Sequence, residues 1–297
     1  MPRRLIDQPA CPCAPTTEAG HARSSRVSSF AILTVFLPTQ VAAQPQADTL
    51  PIKLMYGKRI IVEATICNNY PVNAMIDTGA SCSVISSKIA RRLQLRTLIK
   101  ALTFVSLDRV VRHRPFVIVP NVVLGPIQRT IDCLADDIPF SGVDMIIARD
   151  ILMDLSFTVD YEHCSQQFGS VDTLKHRVSF NLSFVVELQV GTRKIPVMLD
   201  SGADHLLLFA GRVSSSLVKD VQESVMVPGL SSLSRGRIVL LADVRFGSAE
   251  LNTVEACILE GVGRPVDLEW HGLLGLAELR ARRVRFDFPN GLFSWEQ

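Results

Sequence analysis

The chain has 297 residues, of which 47% are apolar and 20% charged, and its formal net charge is +2. This charge balance does not indicate nucleic acid or an anionic membrane as a partner, and we expect neither. The apolar residues are spread over many short segments, and none approaches the roughly 18 residues of a spanning helix, so no stable membrane anchor is expected. The length allows two units of about 115 to 120 residues, each large enough to bury a core.

The N-terminal segment has the pattern of a secretory signal peptide with an unusually long basic N-region. Residues 1–29 contain four arginines, Phe30–Leu37 is apolar, and Val41-Ala42-Ala43 has small residues at −3 and −1 before Gln44. The pattern predicts a signal peptide over residues 1–43 and export to the periplasm or the medium. The alternatives are a disordered tail with a chance apolar patch and an organelle transit peptide. Removing residues 1–43 takes away four basic and two acidic residues, which lowers the formal net charge from +2 to 0.

Five cysteines follow this segment at irregular spacings: Cys67, Cys82, Cys133, Cys164 and Cys257. They form no Cys-x-x-Cys pair and no paired histidines accompany them, so the sequence predicts neither a metal site nor a cofactor. The odd number favours buried free thiols with at most one disulfide bridge.

The local patterns are rich in strands. Alternating apolar and polar residues predict half-buried strands near 52–66, 72–76, 102–107, 116–124, 183–190 and 195–199. Ser86-Ser87 can cap a helix that continues through Leu95, and a second short helix is predicted over Asp150–Leu155. The polar tract 165–182 lacks strong periodicity and is interpreted as a linker.

One eight-residue pattern occurs twice. Ala74–Ser81 has the sequence AMIDTGAS, and Val197–Asp204, 123 positions later, has the sequence VMLDSGAD. Each copy has an aspartate after apolar residues and before a hydroxyl residue, a glycine and an alanine. A single Asp-Ser/Thr-Gly triplet would occur by chance in roughly one chain in six or seven of this length. The inference therefore depends on the repetition and on the matching flanks.

Further markers repeat in the same order at a nearly constant offset. They are Val62-Glu63 and Val186-Glu187, Asn121–Gly125 and Asp243–Gly247, Ile146–Ala148 and Leu273–Gly275, and Phe157–Tyr161 and Val284–Phe288. Four such markers indicate an internal duplication. With only two units, the arrangement is a pseudo-dimer and not a solenoid.

From about Leu50 to the C-terminus, the chain resembles the retropepsin-like aspartic peptidases. The resemblance rests on the two aspartate loops, on the apolar pairs that begin at Ile146 and Leu273, and on the closing segment FDFPNGLF at 286–293. It implies a mainly β fold in which two closed β-barrel lobes face each other across a central cleft. The lobes are expected over residues 50–168 and 176–297.

The resemblance assigns the catalytic roles to Asp77 and Asp200. Peptide hydrolysis requires activation of water and protonation of the leaving nitrogen. Two carboxylates about 3 Å apart share one proton, so one acts as base and the other as acid. The resemblance also implies that Thr78, Gly79, Ser201 and Gly202 support the catalytic loops. It implies substrate-binding roles for Ala80, Ser81, Ala203, Asp204, Gly229 and Gly236.

The resemblance implies a role for each supporting residue. The Thr78 and Ser201 hydroxyls would form hydrogen bonds between the two loops. Glycine at 79 and 202 leaves room for the opposing loop. Ala80 stands where pepsin-like enzymes usually carry a hydroxyl donor to the catalytic carboxylate, as does Ala203 in the other half. Without that donor the shared proton should persist to higher pH, so the pH optimum is expected at roughly 5 to 6.

Several positions depart from the family pattern. Ala148 replaces a usual glycine and adds a methyl group in a tight place. Arg149 has no acid at the equivalent position in its own half, which leaves Asp204 and Asp150 open as its partner. Pro228–Gly236 fits a closing hairpin, or flap, in which Gly229 and Gly236 supply φ freedom. The corresponding first-half segment, Phe104–Arg112, contains no glycine, so the second-half flap is predicted to be the functional one.

The sequence therefore predicts an exported aspartic endopeptidase that acts on extended polypeptide as a monomeric pseudo-dimer. One alternative is an inert pseudo-dimer that binds peptides or a protein partner. A second alternative has two chains associating, with like halves facing each other.

Overall fold

A computed structural model describes residues 49–55, 58–105, 111–169, 174–228, 233–260 and 269–297. Residues 47–297 form one compact unit, so both halves of the duplication belong to the same body. The fold is mainly β, as predicted. None of the helices in the described ranges is long and apolar enough to cross a membrane.

The first half contains ten strands and two short helices in the described ranges. They are β1 (Thr49–Met55), β2 (Arg59–Ile66), β3 (Tyr70–Ile76), β4 (Val84–Ser86), α1 (Ser87–Arg92), β5 (Thr97–Val105), β6 (Val111–Leu124), β7 (Ile127–Asp136), β8 (Met145–Ile147), α2 (Arg149–Leu152), β9 (Ser156–Asp160) and β10 (Ser165–Phe168).

The second half repeats this order of strands. They are β11 (His176–Ser179), β12 (Val185–Val190), β13 (Arg193–Asp200), β14 (Leu206–Phe209), β15 (Val218–Pro228), β16 (Leu233–Phe246), β17 (Ala249–Leu259), β18 (Gly272–Gly275), β19 (Arg283–Asp287) and β20 (Leu292–Glu296). Short 3-10 turns lie at Ala210–Arg212, Ser215–Leu217 and Leu276–Leu279.

The two halves have the same sheet topology. Neighbouring strands follow the order β2-β3-β8-β4-β7-β6-β5 in the first half and β12-β13-β18-β14-β17-β16-β15 in the second. Pairing of β2 with β6, and of β12 with β16, brings the far strands back to the start of each sheet. The expected mainly β architecture of two β-barrel lobes is therefore confirmed.

A third group of strands joins the lobes. Its order is β11-β20-β19-β9-β10-β1, and β9 of the first half pairs antiparallel with β19 of the second. Phe157 lies opposite Phe286, and their ring centroids are 5.2 Å apart. Phe293 continues this layer, 4.9 Å from Phe286, and all three rings are fully buried. Each such ring contributes about 1.5–3 kcal/mol of burial energy, so the lobes are held together by a shared apolar layer.

Local predictions outside the barrels were partly wrong. The predicted linker 165–182 contains β10 and β11, which pair with β9 and β20 in the shared sheet. The first helix begins at Ser87, and Ser86 at its N-cap makes no side-chain capping bond. It ends at Arg92 and not at Leu95, because Gln94 has a left-handed backbone with φ of 51°. The second helix is Arg149–Leu152.

The five cysteines in the described part of the chain are free thiols, as the sequence favoured.

Candidate active site

Each aspartate predicted to be catalytic lies at the end of a buried strand. β3 runs parallel to β8, and the Asp77 N–H donates to the Ile147 carbonyl at 2.9 Å. β13 runs parallel to β18, where Asp200 lies opposite Gly275. The apolar residues at the ends of these strands are buried on both sides of the sheet. The polar aspartate follows them, at the point where the strand leaves the core. The apolar pairs beginning at Ile146 and Leu273 thus lie beside the strands that lead into the aspartate loops.

The loops after the two strands are joined by four hydrogen bonds. The Thr78 N–H donates to Ser201 Oγ at 3.1 Å, and the Ser201 N–H donates to Thr78 Oγ1 at 3.0 Å. Each hydroxyl then donates across the interface, Thr78 to the Leu199 carbonyl at 3.0 Å and Ser201 to the Ile76 carbonyl at 2.8 Å. Both side chains are buried. The predicted reciprocal bonds are present, and they fix the two loops relative to each other.

The glycines of the two loops bring the carboxylates together. A Cβ atom on Gly79 would lie 2.6 Å from both carboxylate oxygens of Asp200, and one on Gly202 would lie 2.7 Å from Asp77 Oδ2. Real Cβ atoms do not approach oxygen so closely, so each loop accepts only glycine at this point. The carboxyl groups of Asp77 and Asp200 therefore lie beside each other, each against the glycine of the opposing loop. The sequence prediction that glycine leaves room for the opposing loop is therefore confirmed.

The electrostatics favour a shared proton. Burial raises the pKa of Asp77, against backbone N–H bonds from Ala80 and Gly79 that lower it. Burial and the Asp77 charge raise the pKa of Asp200 well above its usual range, although the Gly202 N–H donates to it at 2.8 Å. Asp200 is buried and Asp77 is half-buried, and two adjoining carboxyls in such a place cannot both be ionised at low cost. These pKa directions favour a pair that holds one proton and one negative charge.

Arg59 is a site residue that the sequence analysis missed. It begins β2 in the first lobe, its Nε donates to the Gly202 carbonyl at 2.7 Å, and its Nη2 lies 3.1 Å from Asp204 Oδ2. Its guanidinium also lies over the Phe140 ring, 4.4 Å from the centroid. One first-lobe side chain therefore binds the Asp200 loop of the second lobe. The available signal was Asp204, an acid next to the Asp200 loop with no arginine at the expected place in its own half.

A comparison with known protein families identifies the family of this chain. The model of the aspartyl protease family matches twice, at residues 62–151 and 186–277, and each match includes one aspartate loop. The chain belongs to the aspartyl protease family. A search of curated proteins finds no significant match. The tandem arrangement of the two matches agrees with the duplication inferred from the sequence.

Arg149 of this aspartyl protease family member takes neither of the partners left open by the sequence. Its N–H and Nε both donate to the Ala80 carbonyl, at 3.1 and 3.3 Å. Its guanidinium lies 5.3 Å from the centre of the Phe184 ring, which comes from the second lobe. Asp150 instead accepts from the N–H and hydroxyl of Ser83, at 2.8 and 2.6 Å. Arg149 therefore fastens the Asp77 loop to its own lobe and packs against the other.

Ala148 fits where the family usually has glycine. It is fully buried with an extended backbone, and its N–H donates to Ser83 Oγ at 3.0 Å. At the equivalent point of the second lobe, a Cβ atom on Gly275 would lie 2.7 Å from the Ala203 carbonyl oxygen. The first lobe of this aspartyl protease thus has room for one methyl group that the second lobe lacks.

The other predicted substrate-binding residues differ in position. Ala80 packs against an apolar cluster of the first lobe, whereas Ser81 is exposed. The core of this cluster is Ile61, Met75, Val84, Leu134, Val143 and Ile146, and its partly exposed rim includes Cys82, Phe116, Ile138 and Phe140. Ala203 and Asp204 are half-buried. The aspartate loop of the first lobe therefore borders an apolar surface.

Both halves carry a hairpin at the flap position. β5 and β6 pair up to Val105 and Val111, and β15 and β16 pair up to Pro228 and Leu233. The first-half hairpin is therefore present although its sequence contains no glycine. Gly229 lies outside the described residues.

Gly236 has a different role from the one predicted. It is a paired residue of β16 without a positive φ, and a Cβ atom there would overlap Cys257 Sγ. Glycine at 236 therefore provides space and not conformational freedom. Cys257 belongs to a second apolar cluster, formed with Phe209 and Leu259 and bordered by Leu207, Val225, Val227, Ile238 and Trp270.

The described ranges contain no group of three or more His, Cys, Asp or Glu residues placed to hold a metal ion.

Proposed function

We propose that this protein is an aspartic endopeptidase in which Asp77 and Asp200 hydrolyse peptide bonds by general acid–base catalysis. The observation that carries the proposal is that the carboxyl groups of Asp77 and Asp200 each lie against the glycine of the opposing loop, where burial raises the pKa of both. A pair in this state can accept one proton and donate another in the same step. The hydroxyl bonds of Thr78 and Ser201 keep the carboxyl groups in register.

In the proposed reaction, a water molecule between the carboxyl groups attacks the peptide carbonyl carbon. The ionised carboxylate takes a proton from the water, and the protonated carboxyl gives its proton to the carbonyl oxygen, which forms a neutral gem-diol. The C–N bond then breaks while the first carboxyl protonates the nitrogen and the second recovers a proton from a diol hydroxyl. One peptide bond and one water yield one carboxylic acid and one amine, and the pair returns to its starting state.

We infer that the substrate is an extended polypeptide. The apolar cluster of the first lobe borders the Asp77 loop through Ala80, and the second cluster reaches the β15–β16 hairpin through Val225 and Val227. Apolar side chains of a bound peptide could be buried against both clusters, and the hairpins offer backbone groups to an extended chain.

A peptide library tests the proposal across pH. The purified protein should cleave extended peptides, and Asp77→Asn and Asp200→Asn should each abolish cleavage while the far-ultraviolet spectrum stays native. Asp154→Asn is the matched control, because the Asp154 side chain is 77% exposed and pairs only with Arg129 among the described ion pairs. Near-normal turnover in either active-site variant would refute the dyad. Peptide binding without turnover by the wild type would favour the inert pseudo-dimer.

We propose that the active species is a monomer, because one chain supplies both carboxylates. Specific activity should then stay constant on dilution through the micromolar range. A steep loss of activity on dilution, with dimers in sedimentation, would favour association of two chains.

Export is proposed from residues 1–43, which lie outside the described residues. N-terminal sequencing of protein recovered from the periplasm or the medium should begin at Gln44. Recovery of the intact N-terminus from the cytoplasm alone would refute it.

A further inference from the structure

The two apolar clusters occupy corresponding places in the two lobes. Val84 and Leu207 each lie seven residues after the aspartate of their own lobe, on β4 and β14. Val84 pairs with Leu134 of β7, and Leu207 pairs with Cys257 of β17. Each pair belongs to the apolar cluster of its lobe. The strand registers therefore allow the side chains of the two clusters to be compared position by position.

The first difference lies two positions further along these strands. Ser86 pairs with Asp136 in the first lobe, and Phe209 pairs with Leu259 in the second. Phe209 and Leu259 are core members of the second cluster, and each is 1% exposed. Asp136 instead faces Arg114, whose Nε lies 2.6 Å from Asp136 Oδ1. The second cluster therefore has two large apolar side chains at positions where the first lobe has polar ones.

The second difference is an aromatic wall beside the second cluster. The strands β8 and β18 pair with β4 and β14 through Ile146 and Leu273. Three residues before these stand Val143 in the first lobe and Trp270 in the second. Val143 is buried in the first cluster, whereas Trp270 is partly exposed and its ring centroid lies 5.2 Å from that of Phe209. The second lobe thus presents an indole ring where the first has a valine.

The packing around these residues leaves different amounts of space. A Cβ atom on Gly236 would overlap Cys257 Sγ, so β16 lies directly against the second cluster. In the first lobe, the rings of Phe116 and Phe140 are partly exposed at the edge of the cluster. Among the described residues, the second cluster is therefore filled by its own side chains, and the first presents two rings that an incoming side chain can contact.

We propose that the two sides of the cleft accept side chains of unequal size, a large apolar one against the first lobe and a small one against the second. Trp270 sets the limit on the second side. The inference deepens the proposed peptidase function and depends on it, because it names the substrate class of the same site. That class is an extended peptide with a residue such as phenylalanine or leucine on one side of the cleaved bond and a residue such as alanine or serine on the other.

The preference follows from burial on one side and overlap on the other. A large side chain against Phe116 and Phe140 removes apolar surface of both partners from water. Against the second cluster, the same side chain would have to displace Trp270 from Phe209, because the core beneath them is already filled. One methylene group in an apolar site changes specificity by about 10–200-fold. A whole ring should therefore be discriminated by at least about tenfold.

Peptide affinity tests the asymmetry without using activity. The Asp77→Asn variant is titrated by calorimetry with three peptides of equal length, which carry large apolar residues in the N-terminal half, in the C-terminal half or in both. One of the two one-sided peptides should bind at least about tenfold tighter than the other. The two-sided peptide should bind no tighter than the preferred one-sided peptide, because its second large residue meets Trp270.

Variants of the aromatic wall test the cause of the preference. Trp270→Val introduces the residue type of the first lobe, and it should raise the affinity for the two-sided peptide, relative to the preferred one, by at least about tenfold. Trp270→Phe is the matched control, because it keeps a ring beside Phe209 and should keep the ratio. Each ratio is taken within one variant, so a general change in affinity cancels. If Trp270→Val fails to fold, the order of the three peptides on Asp77→Asn still decides.

Tryptophan emission tests whether the peptide lies against the wall. The chain has two tryptophans, and the other one, Trp295, is 0% exposed. The preferred peptide should shift the emission of Asp77→Asn to shorter wavelength as Trp270 is covered, and adding Trp270→Phe should abolish the shift. An emission that does not move on binding would overturn the proposal.

The outcomes separate this proposal from the proposed function. Equal affinity for the two one-sided peptides would overturn it, as would a ratio unmoved by Trp270→Val. No binding of any of the three peptides would overturn both this proposal and the peptidase function. Binding in the expected order without cleavage by the wild type would refute the peptidase function and support the asymmetry of the cleft.

Discussion

Replacing Thr78 by valine separates the contribution of the Thr78 hydroxyl bonds from the contribution of side-chain packing. Valine keeps the size and branching of threonine, but it removes the acceptor of the Ser201 N–H and the donor to the Leu199 carbonyl. Thr78 is 0% exposed, so water cannot replace these partners. An unsatisfied buried group costs about 1–3 kcal/mol, and the two together should lower the free energy of unfolding by about 2–6 kcal/mol.

Thr78→Ser is the matched control. It keeps both hydrogen bonds and removes one buried methyl group, which costs about 1 kcal/mol. Urea unfolding of the wild type and the two variants measures the difference. Because the bonds hold the catalytic loops, Thr78→Val should also lose about 100-fold in kcat/KM, the effect of roughly 1 Å of misplacement. Equal stability and equal kcat/KM for the serine and valine variants would refute a clamp made by the hydroxyl.

Three further predictions concern close contacts and burial at the site. The melting temperature of Asp200→Asn should be a few degrees above that of the wild type at pH 7, and the two melting temperatures should be equal near pH 3. The folded-state pKa of Asp200 is raised, so the stability that its proton contributes is lost as pH rises. Calorimetry at both pH values checks the sign. Gly79→Ala should abolish cleavage, since its methyl group would overlap the Asp200 carboxylate, and a variant with normal kcat/KM would contradict the interlocked loops. Gly236→Ala should destabilise the fold by about 1–3 kcal/mol through overlap with Cys257. Cys257→Ala in the same chain should recover part of that loss, and simple additivity in urea unfolding would argue against the contact.

The paired aspartate loops and the barrels could be predicted because their signals are local and repeated. Strands such as β3, β12 and β13 have alternating apolar residues that follow from burial of one face. The aspartate loops carry the residue types their geometry requires, including a glycine whose Cβ would meet the opposing carboxylate. Both kinds of signal are present within a few residues of sequence.

The shared sheet and the arginine contacts could not be predicted in the same way. β10 and β11 each have only four residues, and their stability comes from partners on β9 and β20 more than from local propensity. The partner of Arg59 lies 145 positions away in sequence (204 − 59), so it is set by how the lobes dock. Arg149 lacks an acid at the equivalent position of its own half, and it contacts a carbonyl and an aromatic ring instead.

The Arg59 ion pair also bears on which halves of the duplication face each other. In the observed arrangement, Arg59 of the first lobe meets Asp204 of the second at 3.1 Å. Two first lobes facing each other would bring Arg59 to Ser81, which carries no charge. The second-lobe residue at the position of Arg59 is Ser183. Two second lobes would therefore bring Ser183 to Asp204, which would leave a half-buried carboxylate without its cation. The ion pair is therefore made only when unlike lobes meet, and this complementarity favours pairing within one chain over association of like halves.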